Sequence, residues 1–409
     1  MKKIFLVILL FFNIFLPSFA IEEKVVIDET PVELKDVVIE EEKLETLEQQ
    51  GQVSEEEFIS EEPIEVQETF RERVYKALTA EVEKTDAPYH MLHDFLTYKS
   101  ETGLIEKAHL WGAYQGQLTT TIPDHGQDHT VYSTPTINVG IDGKFKGGKE
   151  DFRIMLGFSP AHGRTFWNSL PADLYIATNR IPHHRVLLGN SRPPVGMEGG
   201  QSPFTLPFIN RSQISRTYGT VRKFGVRVMG NYDFIEYDLG GFSSDTYFKK
   251  FFPGVEFTGW ATLKPLAKTN GKYGNLRIGG GINAGQYGGG HFFVGGAYVG
   301  YEYKRFFANF EWAQADGSNG VAGYSSKQSS GFYTTVGYKV TPKIQLVARY
   351  DQFDPDRNVM NNWRREISAG INYFVKGHQG LKFIFNYVFC QNQGGSDSHR
   401  IIVGTQILL

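Results

Sequence analysis

The sequence is almost free of cysteine. Of its 409 residues only Cys390 is one, which excludes an intramolecular disulfide and any cysteine-based metal framework. Long apolar runs are also missing. Beyond residue 20 no stretch of about 18 apolar residues occurs, so a bundle of membrane-spanning helices is excluded. Each part of the chain is poor in charge of one sign. Residues 21–107 hold 9 Lys/Arg against 25 Asp/Glu, and residues 108–409 hold 31 against 20. The formal net charge of -3 therefore hides an acidic segment at -16 and a basic one at +11. Signatures of catalysis are lacking too. Gly279–Gly281 and Gly288–Gly290 have no strand-to-helix context for a phosphate loop, and the loop serines form no nucleophile elbow. His125, His129 and Asp124 lie in a loop with no fixed ligand geometry. No catalytic residue, metal site, cofactor or nucleic-acid partner is expected.

What is present begins with an address. Residues 1–20 read as a charged start at Lys2 and Lys3, an apolar run over Ile4–Leu16 and a small-residue site at Ser18-Phe19-Ala20. This predicts a secretory signal peptide cleaved after Ala20; the competing reading is an uncleaved anchor helix. Residues 21–107 form an acidic periplasmic arm, partly helical or disordered. Runs such as Glu40–Glu42 and Glu55–Glu57 bury too little apolar surface to offset chain entropy. Phe70, Val74, Ala77, Leu78 and Val82 recur at helical spacing within 64–83, and a second short helix is expected over His90–Tyr98. The arm reads equally as a tether or oligomerisation piece and as a solvated spacer.

From residue 108 to 409 the texture changes to a period of two. Phe306, Ala308, Phe310 and Trp312 alternate with Phe307, Asn309 and Glu311. Phe152, Ile154 and Leu156 alternate with Arg153 and Met155. Leu381, Phe383, Phe385, Tyr387 and Phe389 alternate with Lys382, Asn386 and Cys390. Successive strand side chains point to opposite faces, so each segment has one apolar and one polar face. Sixteen such strands are expected, starting near 109, 131, 150, 173, 183, 220, 232, 254, 275, 292, 305, 330, 343, 364, 380 and 399. Long connections (123–130, 159–172, 190–219, 243–253, 285–291, 316–329, 353–363, 391–398) alternate with mostly short turns. Tyr298, Tyr301, Tyr303, Trp312, Tyr338, Tyr350, Tyr373 and Tyr387 lie near strand ends, as an aromatic girdle requires. The fold class is all-β: a 16-stranded antiparallel transmembrane β-barrel in an outer membrane, its apolar face on lipid.

The polar face then lines the interior. It carries Arg153, Arg185, Arg227, Arg277, Arg349, Lys382 and Arg400, with Asp142, Glu256, Glu302, Glu311 and Glu366 among them. Residues 190–219 are an aperiodic connection stiffened by Pro193, Pro194, Pro203 and Pro207, with Arg192, Arg211 and Arg216 against one acid, Glu198. A loop of that length and stiffness is expected to fold inward and narrow the lumen. Arg192, Arg211, Arg216, Arg227, Arg349, Arg153 and Arg185 are the candidate pore-lining, anion-binding residues, because guanidinium takes phosphate or carboxylate bidentately while staying ionised. The bland alternatives are wall ion pairs and a solvated surface loop.

Val186–Gly196 followed by Phe208-Ile209-Asn210-Arg211-Ser212 resembles the segment that joins a barrel strand to the inward loop in the phosphate-selective porin O/P family. Tyr232–Gly241, Arg349-Tyr350-Asp351 with Asp354-Pro355-Asp356, Gly370-Ile371-Asn372-Tyr373 and Leu381–Val388 resemble its later strands. The resemblance implies a trimeric sixteen-stranded porin with a cation-lined pore for small anions, including phosphate. Asn210 stands where that family usually has an acid, and the chain ends in Leu409 rather than an aromatic. Two other readings stand beside it. One is a structural anchor whose acidic arm binds the cell wall or a periplasmic partner; the other is an outer-membrane enzyme.

Overall fold

The computed structural model describes residues 96–158, 171–245, 252–375 and 379–409; the expectations for the signal peptide and for residues 21–95 lie outside them. A short strand β1 (Thr97–Lys99) pairs with β2 (Ile105–Pro123). The sequence then runs through β3 (His129–Phe145), β4 (Glu150–Gly157), β5 (Pro171–Thr178), β6 (His184–Ser191), β7 (Lys223–Asn231), β8 (Ile235–Ser243) and β9 (Val255–Leu263). It continues with β10 (Asn275–Tyr287), β11 (Gly290–Tyr303), β12 (Phe306–Gly320), β13 (Gly323–Lys339), β14 (Ile344–Asp354), β15 (Arg364–Phe374), β16 (Leu381–Asn392) and β17 (Ser398–Leu408). Each strand from β2 onward pairs antiparallel with the next, and β17 returns to pair with β2. Sixteen strands close into a barrel without a free edge.

The faces are inverted relative to a water-soluble protein. Ile278, Val299 and Phe310 stand side by side on β10, β11 and β12, and all are exposed. Phe310, Phe332 and Tyr350 continue that outer surface as a ladder of rings with centroids 6.1 and 5.8 Å apart. The inward register row Lys382, Gln406 and Gln115 is buried, and the Gln115 amide donates to the Gln406 carbonyl oxygen at 3.0 Å. An apolar outer face with a polar interior is the arrangement that suits lipid.

Four expectations need correction. Connections 285–291 and 316–329 shrink to residues 288–289 and 321–322, because their flanks stay paired as strand. Gly288 and Gly289 have φ of 56° and 87°, the left-handed pair a two-residue hairpin needs. Tyr298 leaves the outer girdle: it faces inward, buried, its ring stacked on Trp260 and its hydroxyl bonded to Thr262. Its register parity opposes that of exposed Val299, so the alternation rule itself places it inside. Thr97 and Tyr98, expected in a helix, are strand, held by pairing with His109 and Ala108. The first barrel strand starts at Ile105, ahead of the expected 109, where the polar Glu106 and Lys107 hide the alternation.

Val299→Arg places a cation on the lipid face. It should destabilise the folded barrel by about 2–4 kcal/mol, read from the urea midpoint of reversible folding into lipid vesicles; an unchanged midpoint would contradict an outward-facing Val299.

Candidate functional site

The connection between β6 and β7 is residues 192–222. It crosses the lumen and docks on strands eight places round the ring, β14 and β15, and their neighbours. Three short pieces give it shape: a helical turn α1 (Gly196–Gly199), a 3-10 turn over Pro203–Thr205 and helix α2 (Gln213–Tyr218). The Ser202 and Ser212 hydroxyls cap the second and third pieces, as side-chain oxygens do at such starts.

The far wall reads the loop backbone almost group by group. Gln115 donates to the Pro203 carbonyl (3.3 Å), Gln406 to Phe204 (3.0 Å), Lys382 to Leu206 (3.1 Å), Asn372 to Pro207 (2.8 Å) and Arg349 to Asn210 (3.0 Å). In the other direction the Ile209 N–H donates to Asn386 (3.3 Å) and the Gln213 N–H to Asp351 (2.8 Å). The Glu311 carboxylate accepts from the Met197 and Glu198 N–H groups and from the Tyr333 hydroxyl. Buried polar groups need such partners, each worth about 1 kcal/mol net and more to leave unmade. Apolar side chains supply the rest. Ile209 packs with Ile384, Val388 and Ile402, and Ile214 and Tyr218 join Trp260, Tyr298 and Phe353.

Two candidate residues are spent on this mount. Arg211 is 8% exposed and donates to the Glu198 and Gln201 carbonyls. Arg349 is 4% exposed, lies over the Phe208 ring at 4.7 Å and has the Glu198 carboxylate 3.6 Å away. The other five line two cavities. One, of about 1050 Å³, lies toward the end of the barrel carrying connections 355–363 and 393–397, and Arg216 borders it. There Arg216 and Arg400 both hold Glu366, at 3.0 and 2.5 Å. The second cavity, of about 410 Å³, takes Arg153, Arg185, Arg192 and Arg227. Arg153 pairs with Asp142 at 2.6 Å, Arg227 with Asp238 at 2.7 Å, and Arg185 with Asp151.

The structure adds cations that the sequence reading left out of the candidate set. Arg222, the last loop residue, pairs with Asp173 at 2.6 Å in the smaller cavity. Lys327, Arg364, Arg365 and Arg400 join Arg216 in the larger. Arg400 was legible by alternation. Arg222 sits just outside β7, where period two gives no signal. Among the described residues, five cations line the wall of each cavity against two acids, Asp356 and Glu366 in one, Asp142 and Asp173 in the other.

This is the fold of an outer-membrane porin. The chain is similar to the outer membrane channel DcaP of Acinetobacter baumannii, at 13% identity and a TM-score of 0.54 over 76% of this chain and 99% of that one. It is similar to OprB of Pseudomonas putida at 11% and 0.56, over 74% and 94%. The anion-selective porin of Comamonas acidovorans is similar at 12% and 0.53, over 74% and 99%. Residues 267–400 match the model of the phosphate-selective porin O and P family. The later motifs on which the resemblance rests, from Arg349 to Val388, fall inside that stretch; the loop motifs at Val186–Gly196 and Phe208–Ser212 precede it. A comparison with curated protein sequences finds no match.

Gly196 has φ of 67°, and a Cβ there would overlap the Glu311 carboxylate. Gly196→Ala should unseat α1 at a cost of about 1–3 kcal/mol while the barrel still forms. The expected readout is faster protease cleavage within 192–222 and noisier conductance; cleavage at the wild-type rate would show that the mount tolerates the change.

Proposed function

We propose that the protein is a passive diffusion channel of the outer membrane, exported by its N-terminal signal and passing small anionic or polar solutes through a cation-lined constriction. The observation that carries this is the charge of the lumen. On either side of a loop fixed across the barrel, a chamber (about 1050 Å³ on one side, about 410 Å³ on the other) is lined, among the described residues, by five cations and two acids. Such walls attract anions and repel cations before any specific contact is made. The paired arginines offer several weak sites instead of one deep trap, which lets a solute enter and also leave. The match to a phosphate-selective family and the likeness to a porin described as anion-selective point the same way. Arg153, Arg185, Arg192, Arg216 and Arg227 are the residues assigned to the pore lining, with Arg222 and Arg400 added. Assembly as a homotrimer belongs to the same proposal, through the family resemblance.

A second reading, an outer-membrane anchor whose acidic arm binds the cell wall or a periplasmic partner, draws on the 25 Asp/Glu against 9 Lys/Arg in residues 21–107. Planar-bilayer recording separates the two. In a KCl gradient the channel reading expects discrete steps whose reversal potential moves toward the chloride equilibrium potential. Arg227→Gln and Arg216→Gln should each reduce that displacement. Steps reversing at the potassium potential would overturn anion preference. A silent bilayer with folded, heat-modifiable protein would favour the anchor.

A further inference from the structure

The smaller chamber is lined by two unlike sets of side chains. The first is the arginine set. Arg153, Arg185, Arg222 and Arg227 are each paired with an acid: Asp142, Asp151, Asp173 and Asp238. Arg192 makes no ion pair within 4 Å among the described residues; the acid near it, Asp173, is held by Arg222. One of its Nη atoms donates to the Gln201 carbonyl at 2.5 Å, while its Nε is shut off from solvent and makes no hydrogen bond. A buried donor left unpaired costs about 1–3 kcal/mol, more on a charged group. The second set is apolar. Trp111, Met155, Phe204 and Leu408 form one packed cluster and all border the cavity, joined by Leu187. At about 410 Å³, the space falls within the ~300–1,000 Å³ usual for small-molecule sites.

We propose that this chamber binds organic monoanions, with a single carboxylate received by Arg192 and an aromatic or branched aliphatic body lying against Trp111, Met155 and Phe204. The inference rests on the channel reading for the solute's route. Charge selects the class. Four guanidiniums are already neutralised, so the chamber holds one uncompensated positive charge and suits one negative charge. A carboxylate accepts charge-assisted hydrogen bonds from a guanidinium, and Arg192 borders the cavity, while its enclosed Nε stays out of the contact. Inorganic phosphate or chloride would surrender hydration against apolar side chains that return nothing. A neutral aromatic would bury the same area but leave Arg192 unpaired. The paired arginines also explain why binding stays reversible, since they are held by their own acids and add no second anchor.

The test is titration calorimetry on the full chain in detergent, with benzoate as probe and acetate, inorganic phosphate and benzyl alcohol as comparators. Benzoate should bind at least tenfold more tightly than each comparator. Arg192→Gln should weaken benzoate tenfold or more, and Arg192→Lys should restore part of the loss. Met155→Gln, on the barrel wall, should weaken benzoate and leave acetate unchanged, with protease cleavage within 192–222 staying at the wild-type rate as the check that the loop is still seated. Acetate or phosphate binding as tightly as benzoate to the wild type would overturn the proposal, as would undiminished benzoate binding to folded Arg192→Gln. Benzoate binding with a bilayer that stays silent would support the site and count against the channel; anion-selective steps without benzoate binding would do the reverse.

Discussion

Backbone polarity in a medium without water governs this molecule. Every N–H and C=O at bilayer depth needs a partner within the protein, and a sheet meets that demand only when its last strand finds its first. The pairing of β17 with β2 is that closure. Once it exists, everything else is constrained. Alternate side chains must be apolar outward, the inner set is free to be polar, and β6 and β7 face β14 and β15 across the lumen. The loop can then settle its own backbone on the opposite wall. The same requirement acts twice, once between strands and once between the wall and the loop.

That second use explains why the interior is both highly charged and tightly ordered. Lys382, Arg349, Asp351 and Glu311 are buried deeply, which in a soluble core would be costly. Here each is matched to a loop main-chain group or a neighbouring side chain. The Lys382 ammonium and the Arg349 guanidinium also lie over rings, those of Phe374 and Phe208, adding cation–π contact. A constriction built this way is rigid, because moving it breaks many modest bonds together.

Legibility in the sequence follows from the same physics. Period-two alternation is imposed by lipid on one face, so it is strong wherever a strand crosses the membrane. Ile154, Phe310, Leu346 and Phe385 announced their strands, and Arg153, Arg227 and Arg349 their inward direction. Where strands rise beyond the apolar band, as β12 and β13 do around Ser318–Lys327, lipid no longer imposes the pattern, and polar residues in paired strand read as loop. Glu106 and Lys107 hide the start of β2 for the same reason. The inward course of the loop was legible from its prolines and its length. The roles of Arg211 and Arg349 were not, since the carbonyls of Glu198, Gln201 and Asn210 become their partners only after the loop has crossed the barrel. Composition shows how many arginines there are; the fold decides which are already satisfied.

That distinction bears on selectivity. Counting cations along the basic segment suggests a strongly positive pore, yet most of its arginines are tied to carboxylates or carbonyls. A tied guanidinium still orients an N–H edge toward the lumen, but its field is largely cancelled within a few ångströms by its partner. What a passing solute meets is therefore a modest positive surplus on each side of the loop and, in the smaller chamber, one arginine that makes no ion pair of its own among the described residues. Full pairing would make the lumen indifferent to charge, and no pairing would make it a sink for polyanions. The intermediate state suits passage: enough unbalanced charge to concentrate anions, too little to hold them.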